Sequence, residues 1–383
     1  MTSGGDTATA VVVIGGGPAG AATALALARR QVPVLVVEQT DGGGNPIGES
    51  LAPAATPLLH RLGLHDALLA SGPRPCHGNR SRWGGDGGLA ERDFLREPYG
   101  PGWHLDRPAF NAALLAAAAA GGADCRRQAR FRRAERRDGR WHLLVEEPAG
   151  PHSIQADLVV DASGRSAVFA RQRGARQRML DRLVAVVAFL EPGAGLGSAP
   201  MPVSTTLIEA AEEGWWYSAP LPNGCLATAF FSDPDLLAHR RPWHPSGWHT
   251  LLACSPQTLA RVRDHGFRLA APPRFAAAAS TLLEPGWGEG WVSVGDAAAT
   301  YDPLSSHGIG SALAAGQRVA AAAEAWLGGD EGTLLEFAAG LETGYASYLQ
   351  MKRAYYADEG RWPEAPFWRR RRGEPAAEAE RRV

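Results

Sequence analysis

Three glycines and one acid hold the first legible chemistry in this chain. Gly15, Gly17 and Gly20 stand at the spacing G-x-G-x-x-G, and Glu38 follows eighteen residues beyond Gly20. At that spacing the first glycine permits a tight turn. The second lets the backbone approach a pyrophosphate, and the third lets a helix pack closely on its strand. A carboxylate at position 38 accepts both ribose hydroxyls and repels a 2′-phosphate, which favours an AMP moiety over NADP. The motif has weight only in context, and the context is present. Ala10–Ile14 is a continuous apolar run, as a buried parallel strand should be, and Val32–Val37 is a second. Between them Ala21–Arg30 consists of strong helix formers. Strand, glycine turn, helix, strand and acid make a βαβ unit whose helix N-terminus offers N–H groups and a positive dipole to phosphates. By itself this unit leaves NAD and FAD both open.

The rest of the chain must position that unit. With 383 residues, 45% hydrophobic and 21% charged, it has the length of two to three domains and ample material for a core, so wholesale disorder is excluded. Lys+Arg is 39 against 40 Asp+Glu, a net charge of -1, so no global field recruits nucleic acid or an anionic membrane. Cys76, Cys125, Cys225 and Cys254 form no C-x-x-C pair, which argues against a zinc knuckle and a disulfide framework. No apolar run reaches the roughly 18 residues of a membrane span, and the first residues lack a signal pattern. A reducing cytoplasm is the expected compartment.

The spacing predicts loops or short strands over 71–102, a helix over 105–123, and a hairpin turning at Asp138-Gly139. A buried strand, Ile154–Asp161, ends in Asp161-Ala-Ser-Gly164. Residues 183–231 read as β-rich. Gly290–Asp296 is a strand running into a turn, followed by a helix from about Gly308 to Trp326 and a helical remainder. The expected fold class is α/β: a Rossmann-like dinucleotide-binding domain, which a resemblance carried by Trp291–Ala298 and Asp302–Gly310 implies is an FAD-binding domain of the flavin hydroxylase type, with a β-sheet substrate domain and a helical C-terminus. Residues 1–75, 103–180 and 281–328 are assigned to the discontinuous cofactor-binding domain, and 76–102 and 181–280 to the substrate domain. Residues 329–368 are a C-terminal helical segment, and 369–383 a tail without structure.

Two later segments decide between the dinucleotides. Trp291-Val-Ser-Val-Gly295-Asp296-Ala297-Ala298 resembles the second FAD fingerprint of the flavin hydroxylase superfamily, which implies that Asp296 accepts a hydrogen bond from a ribityl hydroxyl. Asp302-Pro303-Leu304-Ser305-Ser306-His307-Gly308-Ile309-Gly310 resembles the loop and helix start beside the isoalloxazine ring. That likeness sets Pro303, Gly308 and Ile309 against the flavin, with helix N–H groups aimed at its N1–C2 edge. The strand ending at Asp161 is similar to a motif that packs near the FAD phosphates, where the aspartate is either cofactor-facing or structural.

The resemblance narrows at Gly48-Glu49-Ser50-Leu51-Ala52-Pro53, which is similar to the G-E-S and proline of the flavin-dependent tryptophan halogenase-like branch. It implies that Glu49 and Ser50 lie by the cofactor. Asp106-Arg107 matches that branch's helix start, where an arginine approaches the FAD. The branch's W-x-W-x-I-P motif corresponds to Gly214-Trp215-Trp216-Tyr217-Ser218-Ala219-Pro220. Trp215 and Pro220 match; Tyr217 replaces the second tryptophan and Ala219 the isoleucine.

Halogenases of this branch need a lysine between flavin and substrate to capture or steer hypohalous acid, in the region after G-E-S. The only lysine here is Lys352, far away in the C-terminal part of the sequence, and arginine is a poor substitute because it stays protonated. Ser305 stands where tryptophan halogenases tend to have a glutamate. Halogenation is therefore not expected. Short members of the branch without the lysine resemble the maturation flavoproteins of tryptophylquinone enzymes, and the ending from Tyr355-Tyr356 through Trp368-Arg369-Arg370 looks like theirs. This implies an FAD-dependent monooxygenase that hydroxylates a tryptophan of a partner protein, a quinoprotein precursor, during cysteine tryptophylquinone maturation. The alternative is a hydroxylase or halogenase-like oxidase of a small aromatic metabolite; a non-catalytic FAD-fold carrier is a third reading.

Such chemistry consumes O2 and needs a dry pocket. Trp215, Trp216, Tyr217 and Pro220 are candidate walls, or else ordinary core. His307 is the acid–base candidate, or else a helix cap, with Asp302 orienting it or holding its loop. No second glycine fingerprint is present, so electrons come from transiently bound NAD(P)H or from a separate flavin reductase. The arginines from Arg126 to Arg137 either dock an acidic partner or form a solvated face.

Overall fold

Val11–Ile14 and Val34–Val37 contain no polar residue because both faces of their sheet are covered. The computed structural model describes residues 7–41, 48–85, 87–193 and 204–373. In the first sheet the strands run, from one edge, Trp287–Gly288, Trp291–Ser293, Gly150–Asp161, Thr7–Ile14, Val34–Val37 and Asp124–Arg126. All pairings after the first are parallel. Val11 and Val13 face a layer containing the helices Pro18–Arg29, Arg107–Ala120 and Gly308–Leu327. Val12 and Ile14, one residue out of phase, face the opposite core with Trp141 and Phe169. The hairpin Arg130–Arg137/Arg140–Glu147 extends that sheet, turning at Asp138 and Gly139, which both have positive φ (51° and 78°).

Alanine and glycine dominate the helices Pro18–Arg29 and Gly308–Leu327 because their backbones nearly touch. A Cβ on Gly316 would stand 2.6 Å from the Ala19 carbonyl oxygen.

The second sheet orders Phe267–Leu269, Val184–Pro192, Leu226–Ser232, Gly214–Pro220, Thr205–Ala211, Gly78–Arg82 and Ala90–Asp93, with Arg274–Ala277 also paired to Val184–Pro192. Its alternation sends Trp216 and Phe230 to a core shared with Trp248, and Trp215 and Phe231 to the other face. That second face is covered by Tyr356, Phe367 and Trp368 from the C-terminal region, which comprises the helices Thr333–Asp358 and Pro366–Arg372. A small sheet pairs Ser50–Leu51 with Gly102–His104 and the latter with Arg74–Cys76.

The expectation of a structureless tail from residue 369 is corrected. Helix Pro366–Arg372 continues through it, because Arg370 and Arg371 form ion pairs with Asp233 and the Arg371 guanidinium lies 3.5 Å over the Phe367 ring. The remaining part of that assignment, 374–383, lies outside the described residues. No described helix is long and apolar enough to cross a membrane.

Candidate active site

Gly15 has φ of 105°, and a Cβ there would meet the Ala162 carbonyl oxygen at 2.4 Å. A Cβ on Gly20 would lie 1.9 Å from the Gly15 carbonyl oxygen, so this residue is what lets helix and strand close up. Gly17 is different: a Cβ there meets nothing within 4 Å. It is the N-cap of helix Pro18–Arg29 and forms part of the floor of a cleft of about 690 Å³. Glu38, Thr40, Arg127, Arg130 and Ser163 line the same cleft. The Glu38 carboxylate accepts from the Gly16 N–H (2.6 Å) and from the Thr40 N–H (2.8 Å) and hydroxyl (2.7 Å), which fixes it in the wall. Several of the arginines from 126 to 137 are tied locally, Arg126 to Glu147 and Arg132 to Glu146.

Asp161 turns away from this cleft. Its carboxylate accepts from Ser163 N–H and hydroxyl and from the N–H groups of Phe169 and Ala170, so it is a fully buried cap for the following turn and helix. Burial raises its carboxyl above the usual range, against the pull of these hydrogen bonds. Asp161→Ala would leave buried N–H groups unsatisfied and should cost about 2 kcal/mol in denaturant unfolding while the apo glycine turn persists.

Asp296 lies beside the first glycine turn: a Cβ on the preceding Gly295 would stand 2.6 Å from Ala19 Cβ. The Asp296 side chain is 44% exposed and lies 3.8 Å from Arg165. Surrounding protein lifts its carboxyl above the ordinary range, with Arg165 and Arg107 pulling the other way. Arg107, at the first position of helix Arg107–Ala120, donates to the Gly48 carbonyl (2.7 Å). Its charge also opposes the upward shift that burial imposes on Glu49. Glu49 Oε1 is buried with no hydrogen-bond partner among the described residues. Pro303–Ser305 forms a single turn capped by Asp302, and helix Gly308–Leu327 starts just beyond. Ile309 is buried, and a Cβ on Gly308 or Gly310 would meet nothing within 4 Å. A cleft with an open glycine floor and a carboxylate fixed in its wall, with a second acid, Asp296, next to the Gly295 that packs on Ala19 of the same helix start, fits an FAD.

Two open alternatives are decided here and one expectation, the remoteness of Lys352, is corrected. His307 is exposed and its imidazole makes no hydrogen bond among the described residues; Asp302 does not orient it. Instead the buried Asp302 carboxylate accepts from the Leu304 N–H (3.0 Å) and the Tyr356 hydroxyl (2.9 Å), and lies 3.6 Å from Lys352. Lys352 is therefore not remote. Its ammonium pairs with Asp181, hydrogen-bonds Ser280 (2.9 Å) and lies beside the Asp302 that caps the Pro303 turn, because helix Thr333–Asp358 returns to that loop. Finally, Trp216 is not a pocket wall: strand alternation directs it to Phe230 and Trp248 on the far side of the sheet.

Trp215 and Tyr217 do come together with Pro303. They line a hollow of about 50 Å³ with Leu51, Cys76, Phe94, Thr206 and Ser306. Trp215 is stacked on Phe231 and donates to the Tyr356 hydroxyl (3.0 Å), which ties this wall to Asp302. Tyr217 hydroxyl lies 2.8 Å from Ser50 Oγ, Ser50 Oγ lies 3.0 Å from Thr206 Oγ1, and Thr206 Oγ1 lies 3.0 Å from His104 Nε2. Burial, then the charges of Arg261 and Arg74, push His104 down to about 3, so it is neutral. His104, Thr206 and Lys352 carry no motif, and Tyr356 stands out only as part of the C-terminal ending, with no site role attached. The one sequence signal for His104 is its place just before Asp106-Arg107, opposite Ser50 once the strands pair.

The tryptophan halogenase family model matches residues 10–94 and 90–383. LodB of Marinomonas mediterranea, assigned as an FAD-dependent oxidoreductase, is 30% identical over 94% of this chain and 96% of its own length. The myxobacterial chondrochloren halogenase CndH, a variant of FAD-dependent halogenases, shares the fold at a TM-score of 0.86 and 24% identity, over 98% of this chain and 88% of that one. QhpG, a peptidyl tryptophan dihydroxylase essential for tryptophylquinone cofactor biogenesis, shares it at 0.71 and 23% identity, over 96% and 80%. With the cleft geometry and these matches together, the chain belongs to the tryptophan halogenase family and is an FAD-dependent oxidoreductase.

Proposed function

We propose that this chain is an FAD-dependent monooxygenase that hydroxylates a tryptophan side chain of a partner protein during maturation of a cysteine tryptophylquinone cofactor. One observation carries the reading: where the single ammonium sits. Halogen transfer needs an amine between flavin and substrate, and Lys352 is committed to Asp181 and Ser280. It is not among the residues lining the hollow beside Pro303, which presents aromatic, aliphatic, thiol, hydroxyl and amide groups. Oxygen transfer to an electron-rich ring needs no amine; it needs dry walls and a place for the ring proton. Bound FAD supplies the activation of O2, with electrons from NAD(P)H or from flavin reduced by a separate reductase. A protein substrate is supported by likeness to QhpG, which acts on a peptidyl tryptophan.

The test is mass spectrometry of a quinoprotein precursor co-expressed with the full chain, in the presence of chloride and bromide. A tryptophan peptide heavier by one or two oxygen atoms is expected. A halogenated peptide, or an unmodified one beside a flavin-loaded enzyme, overturns the reading; oxygenation of a free indole alone moves it to a small aromatic metabolite.

A further inference from the structure

We propose that Tyr217, Ser50, Thr206 and His104 form a proton relay that stores the hydrogen released from the substrate ring and returns it to the departing water. This rests on the hydroxylation reading above. Tyr217 and Thr206 both line the hollow beside Pro303, so the relay opens where the ring would lie. Its links of 2.8, 3.0 and 3.0 Å are all within hydrogen-bond range. Each hydroxyl both donates and accepts, so a proton entering at one end can displace one at the other. The chain exists because of a departure from the family motif. An indole at position 217 could only donate, whereas a phenol oxygen can also accept.

The relay ends in the interior. His104 is fully buried, and its Nδ1 has no hydrogen-bond partner among the described residues. Cys76 is close, with Sγ 3.9 Å from Thr206 Oγ1, but its thiol donates to the Gly78 carbonyl (3.3 Å) and leaves the threonine hydroxyl to the relay. His307, the alternative base, is exposed and not among the residues lining the hollow.

The chemistry balances. A C–O bond forms at an indole carbon and the C–H bond there breaks, its electron pair returning to the ring. The proton passes to the Tyr217 oxygen as the phenol's own moves to Ser50, that of Ser50 to Thr206, and that of Thr206 to His104 Nε2. One atom of O2 stays in the product. The other would be reduced by two electrons from the reduced flavin, recharged by NAD(P)H or a reductase, and would leave as water, one of its hydrogens being the stored proton and the other arriving with those electrons. A weakly basic imidazole suits a temporary store: a protonated ring carbon is a much stronger acid, and the imidazolium gives its proton up readily.

The relay requires that the neutral His104 hold its proton on Nδ1, leaving Nε2 to accept from Thr206. In ¹⁵N-histidine NMR of the FAD-loaded full chain this tautomer is expected; a proton on Nε2 overturns the relay whatever the substrate. In turnover, Tyr217→Phe should lower oxygenated partner formed per O2 consumed by roughly a hundredfold and abolish the solvent isotope effect on that step. Flavin absorbance and partner affinity of the oxidised enzyme should not change. Thr206→Val, which keeps the side-chain shape, should reproduce both losses. Unchanged coupling and isotope effect in both variants would also refute the relay. An unmodified partner with wild-type enzyme refutes the hydroxylation reading, and the tautomer then still decides the relay.

Discussion

Replacing Gly17 with aspartate should strip the protein of FAD without unfolding it, whereas Gly20→Ala should cost it the fold. The two glycines belong to one motif but meet different surroundings. At Gly20 an added Cβ would lie 1.9 Å from a backbone oxygen, and neither helix nor strand can yield without breaking the turn between them. Overpacking of this kind costs at least about 3 kcal/mol, enough to remove the protein from the soluble, flavin-bearing fraction. Gly17 has open space, and as N-cap it lacks a side-chain hydrogen bond to the first turn of its helix. An aspartate there would supply one, worth about 1 kcal/mol, so the apo midpoint in denaturant should hold or rise. The same carboxylate would stand where a diphosphate must bind. At about 4 Å and an effective dielectric of about 20 the repulsion is about 4 kcal/mol, or roughly a thousandfold in FAD affinity. Paired measurements of unfolding and of FAD binding by fluorescence quenching check both halves. Flavin retention by Gly17→Asp at wild-type affinity would remove the phosphates from this turn.

Lys352→Met should destabilise the protein by about 3–5 kcal/mol at neutral pH, the usual consequence of leaving buried carboxylates without their cation. Lys352 is 12% exposed, Asp181 14% and Asp302 1%. At Asp181 burial pushes the carboxyl up, but the adjacent Lys352 and the neighbouring hydrogen bonds hold it below its ordinary value. A carboxyl held low stabilises the fold above its unfolded pKa of about 3.9, and that contribution disappears as pH falls through the folded value. In the variant the largest opposition to burial is gone, the remaining hydrogen bonds and the Arg371 charge offset it only in part, and the carboxyls of both Asp181 and Asp302 climb. A raised carboxyl has the opposite sign, so its stability is lost as pH rises. The gap between wild type and variant should therefore be widest near pH 7 and narrow toward pH 4 in urea titrations. A constant gap would show that the ammonium does not govern these two acids. Because Asp302 caps the Pro303 turn, the variant should also bind FAD less tightly.

Much of this was legible before any coordinates. The cleft at the glycine turn was readable because its determinants are contiguous: Val11–Ile14, the three glycines and Glu38 span one βαβ unit, and local spacing sets which of them line it. Family motifs at Glu49, Arg107, Asp296 and Pro303 marked segments that the fold does gather around that unit. Asp161 shows where a motif position stops being informative. Its place at the end of a buried strand was apparent, but its position beside Ile14, and whether its carboxylate turned to the cleft or to Phe169, depended on strand register and on how the next turn closed.

Residue types, order and spacing thus determined the βαβ unit, its suitability for a dinucleotide and the lack of a lysine in the sequence around the G-E-S segment, while likeness to known motifs pointed to FAD. Tertiary structure alone decided what surrounds the turn at Pro303–Ser305. Lys352 and Tyr356 reach Asp302 because a long helix some fifty residues downstream folds back on it. Strand phase separated Trp215 and Tyr217 from Trp216, since neighbours in a pleated strand point to opposite faces. His104 meets Thr206 only because Ser50–Leu51, Gly102–His104 and Thr205–Ala211 converge from three parts of the chain. Contacts of that range are set by register and packing rather than by local preference, and no pattern of near neighbours encodes them.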